Sequence, residues 1–319
     1  MTANSSTNRI ATVSPVRGSG VEELRVLARE AEAGGFEAIF SPEVPLFSAI
    51  ASAQVFAEAT SRIKVGTWIT SIYMRQSIMC TAEALTVQEV SGGRMVLGLG
   101  VSHKPVVTGR FGIETGDPLD DMRRYVTEVR SYADLKSPVL TVKRELPYLP
   151  VYTAVLTEKA AELAGEVADG IFPYLATKEH VKKLIAAAGR GAERAGRFPS
   201  EIDITHGISC FISDDIEAAR SAARRTLSVY ASRFPAYRRV VKNSGFGEVT
   251  ENIDAGVDLA RAVSDEFLDA VALVGPAERC REKLEEWRDI GVSLPVIVPY
   301  AVGNQSDVEV MCNMVDALG

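Results

Sequence analysis

The chain has few of the residues that build metal centres or covalent cross-links. Only three histidines and four cysteines occur among 319 residues. His103, His180 and His206 are scattered, and Cys80, Cys210, Cys280 and Cys312 form no C-x-x-C pair. No metal-ligand spacing is legible, and no metal is expected. The thiols read as free cysteines of a reducing cytosol, so a cytoplasmic location is expected. No apolar run approaches the roughly 18 residues of a membrane span, which argues against a membrane partner. Met1–Asn8 is polar and has no apolar centre, so it reads as a tail rather than a signal peptide. Basic charge is not in excess either. Lys and Arg number 35 against 42 Asp and Glu, for a net charge of −7. That argues against nucleic acid as the main partner, because phosphate binding wants a basic face.

What is present is a regular alternation. Short β-rich runs at Arg9–Ser14, Ala38–Phe40, Ile63–Ile69, Met95–Gly98, Pro150–Ala154, Gly170–Phe172, Ile202–Ile212 and Pro295–Val298 read as strands. Between them lie helical patterns: Val21–Gly34, Leu46–Thr60, Ile78–Val90, Pro118–Leu135, Thr157–Val167, Thr177–Ala195 and Pro276–Ile290. A long helical region runs from Asp214 to about Ala262, with breaks near Pro235 and Ser244–Gly247. Ala270–Val274 is left over and reads as an extended loop. Strands joined by helices of this length must pair in parallel, because each crossover spans the sheet. Eight of them close a barrel. The expected fold is therefore α/β, a (β/α)8 TIM barrel, as one domain over residues 1–319 with a helical insertion over 214–274. In such a barrel the chemistry lies at the strand C-termini. That singles out residues 41–47, 68–75, 98–104, 154–157, 173–177 and 299–301.

At these strand ends the chain resembles the luciferase-like monooxygenase family, and more narrowly its branch using the deazaflavin coenzyme F420. The resemblance is carried by AEATSRIKVGTWIT from Ala57, by AEALTVQEVSGGRMVLGLGVSHKP from Ala82, and by RFG from Arg110. A second stretch, VYTAVLTEKAAELAGEVADGIFPYL from Val151, is similar to the family's cofactor-phosphate segment. The likeness runs from about Val21 to Ala301 and is weakest across 214–274.

The resemblance implies a site. Trp68-Ile69 stands where relatives carry a non-proline cis peptide behind the ring; the plainer alternative is an ordinary strand end. Ser41, Thr70, Gly98, Gly100, Val101 and Ser102 would surround that ring, the glycines by letting backbone come close. Glu43 and His103 stand where relatives keep polar groups at the reacting edge, with the types exchanged. Both would serve as catalytic proton donors or acceptors; otherwise Glu43 caps a helix and His103 is a surface residue. Phe47 and Tyr73 would line the substrate pocket. Leu156 and Thr157 open a helix whose free N–H groups suit a phosphate, and Tyr174 would complete that nest. Leu156 departs from the glycine pair of relatives. Lys178, His180, Lys182 and Lys183 would serve an anionic tail or form a solvated basic face. Arg94 and Asp169 read as structural.

The reading is an F420-dependent oxidoreductase that moves hydride between a deazaflavin and a small organic substrate with a C=C, C=N or C=O bond. An FMN-dependent monooxygenase is the alternative, and a non-catalytic flavin-binding relative a third. The resemblance also implies a homodimer through helices beside the barrel.

Overall fold

The computed structural model describes residues 9–16, 20–140 and 146–319. The expected tail, Met1–Asn8, lies outside them. The strands are β1 (Ala11–Val13), β2 (Ala38–Ser41), β3 (Lys64–Thr67), β4 (Thr70–Ser71), β5 (Met95–Gly100), β6 (Val151–Ala154), β7 (Gly170–Phe172), β8 (Asp203–Ile212), β9 (Ala272–Gly275) and β10 (Leu294–Pro299). Their ladders are parallel and run β1-β2-β3-β5-β6-β7-β8. β10 closes the ring, pairing β8 along Leu294↔Thr205 to Pro299↔Cys210 and β1 at Val296↔Ala11. The eight-stranded barrel inferred from alternation is the architecture observed.

The helices are α1 (Val21–Ala33), α2 (Ala49–Ala59), α3 (Ser77–Val90), α4 (Lys104–Val107), α5 (Pro118–Ala133), α6 (Glu158–Val167), α7 (Lys178–Arg194), α8 (Ile216–Arg233), α9 (Pro235–Asn243), α10 (Gly247–Asp254), α11 (Leu259–Ala262), α12 (Asp265–Val271), α13 (Ala277–Asp289) and α14 (Asp307–Leu318). Several begin where a side chain satisfies orphan N–H groups. Asp117, Thr157, Thr177 and Asp215 cap α5, α6, α7 and α8 with their own oxygens. Among the described residues no helix is long and apolar enough to cross a membrane.

Strand alternation separates two cores. Ile39, Val65, Leu97, Leu99 and Ile297 point outward and pack under the helices. Ala38, Phe40, Val96, Val296 and Val298 point inward, where Phe172 meets Phe40 edge-on and Tyr152 at a tilt to fill the barrel.

Four differences from the sequence reading matter. The run Ile63–Ile69 is not one strand. Four steps separate Gly66 from Thr70, while three separate their partners Val96 and Leu99, so one residue bulges between β3 and β4. Ala270–Val274 is not a loop: α12 ends at Val271 and β9 pairs in parallel with β8, from Ala272↔Ser209 to Gly275↔Ile212. β9 takes the edge of β8 that β7, paired at Asp203 and Ile204, leaves free higher up. The long region after Asp214 breaks at Pro235 and before Gly247 as expected, and once more between Asp254 and Leu259, giving α8 to α11. Two helices, α4 and α14, were not anticipated.

Candidate active site

The bulge between β3 and β4 builds a shelf at the C-terminal mouth of the barrel. The Trp68-Ile69 peptide bond is cis, as the resemblance implies. Thr67 Oγ1 bridges the gap in the ladder by accepting from Gly98 N (2.9 Å) and donating to Gly98 O (2.7 Å). Ile69 lies against Gly100: a Cβ there would come within 2.4 Å of Ile69 Cδ1. A Cβ on Gly98 would meet Thr67 O at 2.1 Å. Both glycines are thus demanded by strand-to-strand packing, a reason different from the ligand approach expected from sequence. The Trp68 indole lies over Gly207, edge-on to Tyr174 at 5.0 Å. Trp68 Nε1 and Thr70 Oγ1 are buried and have no hydrogen-bond partner. Two orphaned donors flanking one peptide bond are costly unless a ligand satisfies them. They fit the polar edge of a flat heteroaromatic ring.

The loop after β2 is held against this shelf by an ion pair. Glu43 accepts from the Ser71 amide (3.0 Å) with one oxygen and from Arg75 Nη1 with the other. Arg75 also reaches Glu83 of α3 (3.0 Å) and Ser48 Oγ (3.2 Å). Ser48, not Glu43, caps α2. Glu43 therefore ties the residue after Thr70 to the β2 loop, and Arg75 is the centre of the bracket. Ser41 is fully buried, its Oγ on Pro42 O, and its carbonyl receives Trp68 N at 2.8 Å. Phe47 is half-buried at the end of a tight turn from Val44. The Tyr73 hydroxyl is turned onto Asp121 of α5 (2.9 Å). Burial and that carboxylate raise its pKa.

His103 follows Val101 and Ser102, all three half-exposed. Its imidazole stacks on Phe234 at 3.9 Å and meets Tyr237 at 5.5 Å. Burial lowers its pKa, so the neutral ring is favoured. Phe234 and Tyr237 belong to the junction of α8 and α9, so the insertion reaches over the mouth. Tyr230, Phe234 and Tyr237 recur at helical spacing, which was the available signal for this roof.

Tyr174 is 4% exposed. Its hydroxyl shares hydrogen bonds with Ser209 Oγ and Tyr300 Oη, both 2.9 Å. It points into the barrel mouth and away from the helix N-terminus where the sequence reading had put it. Thr157 Oγ1 is taken up as the α6 cap, accepting from Ala160 N at 3.2 Å. Leu156 O meets His180 Nε2 at 3.0 Å. The basic cluster is partly spent within the protein: Lys178 pairs with Glu286 and Lys182 with Glu179. Arg94 is structural, binding carbonyls of Ala57, Thr60, Ile63 and Ser91, and Asp169 is structural on Arg130, Tyr148 and Val151 N. Among the described residues no cluster of three or more His, Cys, Asp or Glu could hold a metal.

Comparison with known proteins gives the class to which this parallel barrel, with its bulged shelf at the mouth, belongs. Residues 5–294 match the family model of luciferase-like monooxygenases. The chain belongs to that family and is an oxidoreductase. It is 27% identical over 260 residues, 75% of this chain and 78% of the relative, to a 5,10-methylenetetrahydromethanopterin reductase of Methanolobus tindarius. It is 26% identical over 308 residues, 85% of this chain and 89% of the relative, to a putative coenzyme F420-dependent oxidoreductase of Mycobacterium tuberculosis. The fold is that of the coenzyme F420 dependent tetrahydromethanopterin reductase from Methanopyrus kandleri, with TM-score 0.81 at 19% identity over 97% of this chain and 98% of that one.

Proposed function

We propose that this protein is a coenzyme F420-dependent oxidoreductase acting on a small organic substrate. The observation that carries this reading is the shelf with its two buried donors without partners, Trp68 Nε1 and Thr70 Oγ1. Relatives named for F420 support the deazaflavin over a flavin. Bound there, a deazaflavin supplies hydride chemistry. Trp68, Ile69 and Thr70 would back the ring, with Ser41, Gly98 and Gly100 shaping the shelf and Val101 and Ser102 beside it. Thr157 and Leu156 would offer the α6 N-terminus to the phosphate, and Tyr174 its ring to the mouth. Phe47 and Tyr73 would bound the substrate. His103, neutral at pH 7, would exchange a proton with the substrate. Glu43 would hold the Ser71 amide and stand as the second acid–base group. The reading that uses reduced FMN and oxygen rests on the family's own monooxygenase description.

Fluorescence titration of the purified protein with F420 and, separately, FMN decides between them. Tight F420 and weak FMN binding is expected, with His103→Asn keeping that affinity while losing turnover. FMN preference would replace the reading with the oxygen-dependent one.

A further inference from the structure

The roof over the shelf has a chemistry of its own. Aromatic rings run unbroken from shelf to insertion: Trp68 to Tyr174 at 5.0 Å, Tyr174 to Tyr230 at 5.3 Å, Tyr230 to Tyr237 at 5.2 Å, Tyr237 to His103 at 5.5 Å, His103 to Phe234 at 3.9 Å. The wall carries no formal charge, since burial keeps His103 neutral. The ion pair beside it, Glu43 with Arg75, is closed on itself. A charged ligand would lose its hydration against such a wall and gain no counter-ion. A flat conjugated ligand would gain ring contacts on two sides.

The polar atoms of the roof are hydroxyls. Ser209, Tyr174 and Tyr300 form a chain, both links 2.9 Å. Three hydroxyls joined by two hydrogen bonds keep one proton that the chain itself does not use. Burial raises the pKa of Tyr174 and of Tyr300, so both stay protonated. Tyr230 is half-exposed and packs edge-on against the Tyr174 ring at 5.3 Å. The wall therefore offers a proton and asks for an acceptor.

We propose that the substrate is an uncharged, planar, conjugated carbonyl compound, of the quinone or aryl-enone class, seated against His103, Phe234 and Tyr237 with its oxygen on the tyrosine hydroxyl chain. This rests on the F420 reading and specifies what faces the reduced deazaflavin. The conjugated system takes a hydride, two electrons with one hydrogen, at carbon. The C=O π pair moves to oxygen, and that oxygen takes the spare proton of the chain, giving a hydroxyl; for this substrate class the chain and not His103 is the donor, and His103 supplies a ring contact. Solvent restores the proton.

The test uses 2-methyl-1,4-naphthoquinone as the planar probe and pyruvate as the small charged one. Binding is read by saturation-transfer NMR on the full-length protein, alone and with F420, and turnover by oxidation of reduced F420. The naphthoquinone is expected to bind and pyruvate not. Phe234→Ala should weaken quinone binding roughly two- to ten-fold, the worth of one aromatic contact. Phe234→Leu, which keeps apolar bulk, should show the same direction and guards against a folding defect. Tyr300→Phe should leave quinone and F420 binding in place, slow turnover by about a hundred-fold, and change its solvent deuterium isotope effect. Pyruvate binding in preference, or quinone affinity indifferent to both Phe234 variants, overturns the substrate class. Turnover and isotope effect unchanged in Tyr300→Phe overturns the proton chain. Failure of F420 to bind, with quinone binding still sensitive to Phe234, refutes the cofactor reading and leaves the aromatic seat standing.

Discussion

His206 is fully buried on β8, with its ring against Trp287 of α13 at 4.4 Å. Its neighbour Gly207 faces the barrel interior, so alternation turns His206 outward beneath the helices. Neither ring nitrogen has a hydrogen-bond partner. Burial lowers its pKa to about 3, so the fold holds it neutral. The unfolded chain binds a proton near pH 6.5. The stabilising share is therefore complete above that pH and is lost as pH falls towards 3. Urea midpoints measured between pH 7.5 and 5 should fall in the wild type and fall less in His206→Leu. That window lies above the range where Glu37 and Asp203, whose pKa values are lowered, begin to titrate. Equal slopes in the two proteins would show that the histidine does not carry the effect. The sequence placed this residue in a strand but could not say which face it took, because the run ITHGISCF mixes both kinds of position. For Glu43 and Tyr174 the sequence likewise gave the location but not the partner. Arg75 is 32 residues from Glu43, and Tyr300 is 126 from Tyr174.

At the scale of the element, the shelf shows what periodicity can and cannot reveal. The β-branched run Ile63–Ile69 announces a strand, yet the extra residue that splits it is set by Gly98 and Gly100 on the neighbouring strand. Gly100→Ala should drive a methyl into Ile69, which has to move off the shelf. A loss of about 1–3 kcal/mol is the usual cost of overpacking. The expected signature is weaker F420 binding together with a lowered melting temperature; unchanged affinity would mean that Ile69 does not position the ring. β9 reads in the sequence as an extended loop because eight strands already close the barrel and no turn residue separates it from α12. α14 was legible in principle: Ser306 and Glu309 form a capping box.

Taken whole, the barrel has two differently built ends. The mouth is aromatic and holds orphaned donors. The opposite end is charged and fully partnered: Arg9 binds both Glu37 (2.7 and 2.9 Å) and Asp203 (3.0 and 2.8 Å), and Asp203 also accepts from Tyr152 and Ser293. These residues stand at the starts of β1, β2 and β8, so the cluster clasps the ring where it closes. Arg9→Met would remove the guanidinium the two carboxylates share, leaving Glu37 on Lys64 and Asp203 on Tyr152 and Ser293, and should cost about 1–3 kcal/mol in urea denaturation. F420 affinity should be preserved, since the clasp lies at the far end; a joint loss would show that closure and site are coupled. The count of strands was readable from alternation, whereas this closure joins residues 194 apart and leaves no local trace. The insertion obeys a similar logic of ends. It leaves the barrel at Ile212 and rejoins the sheet at Ala272, whose partner on β8 is Ser209, three residues before Ile212. The roof is in effect a cassette hung from a single point of attachment. Descendants of this chain can lengthen, shorten or exchange it, and so acquire new substrates, without rebuilding the scaffold that holds the cofactor.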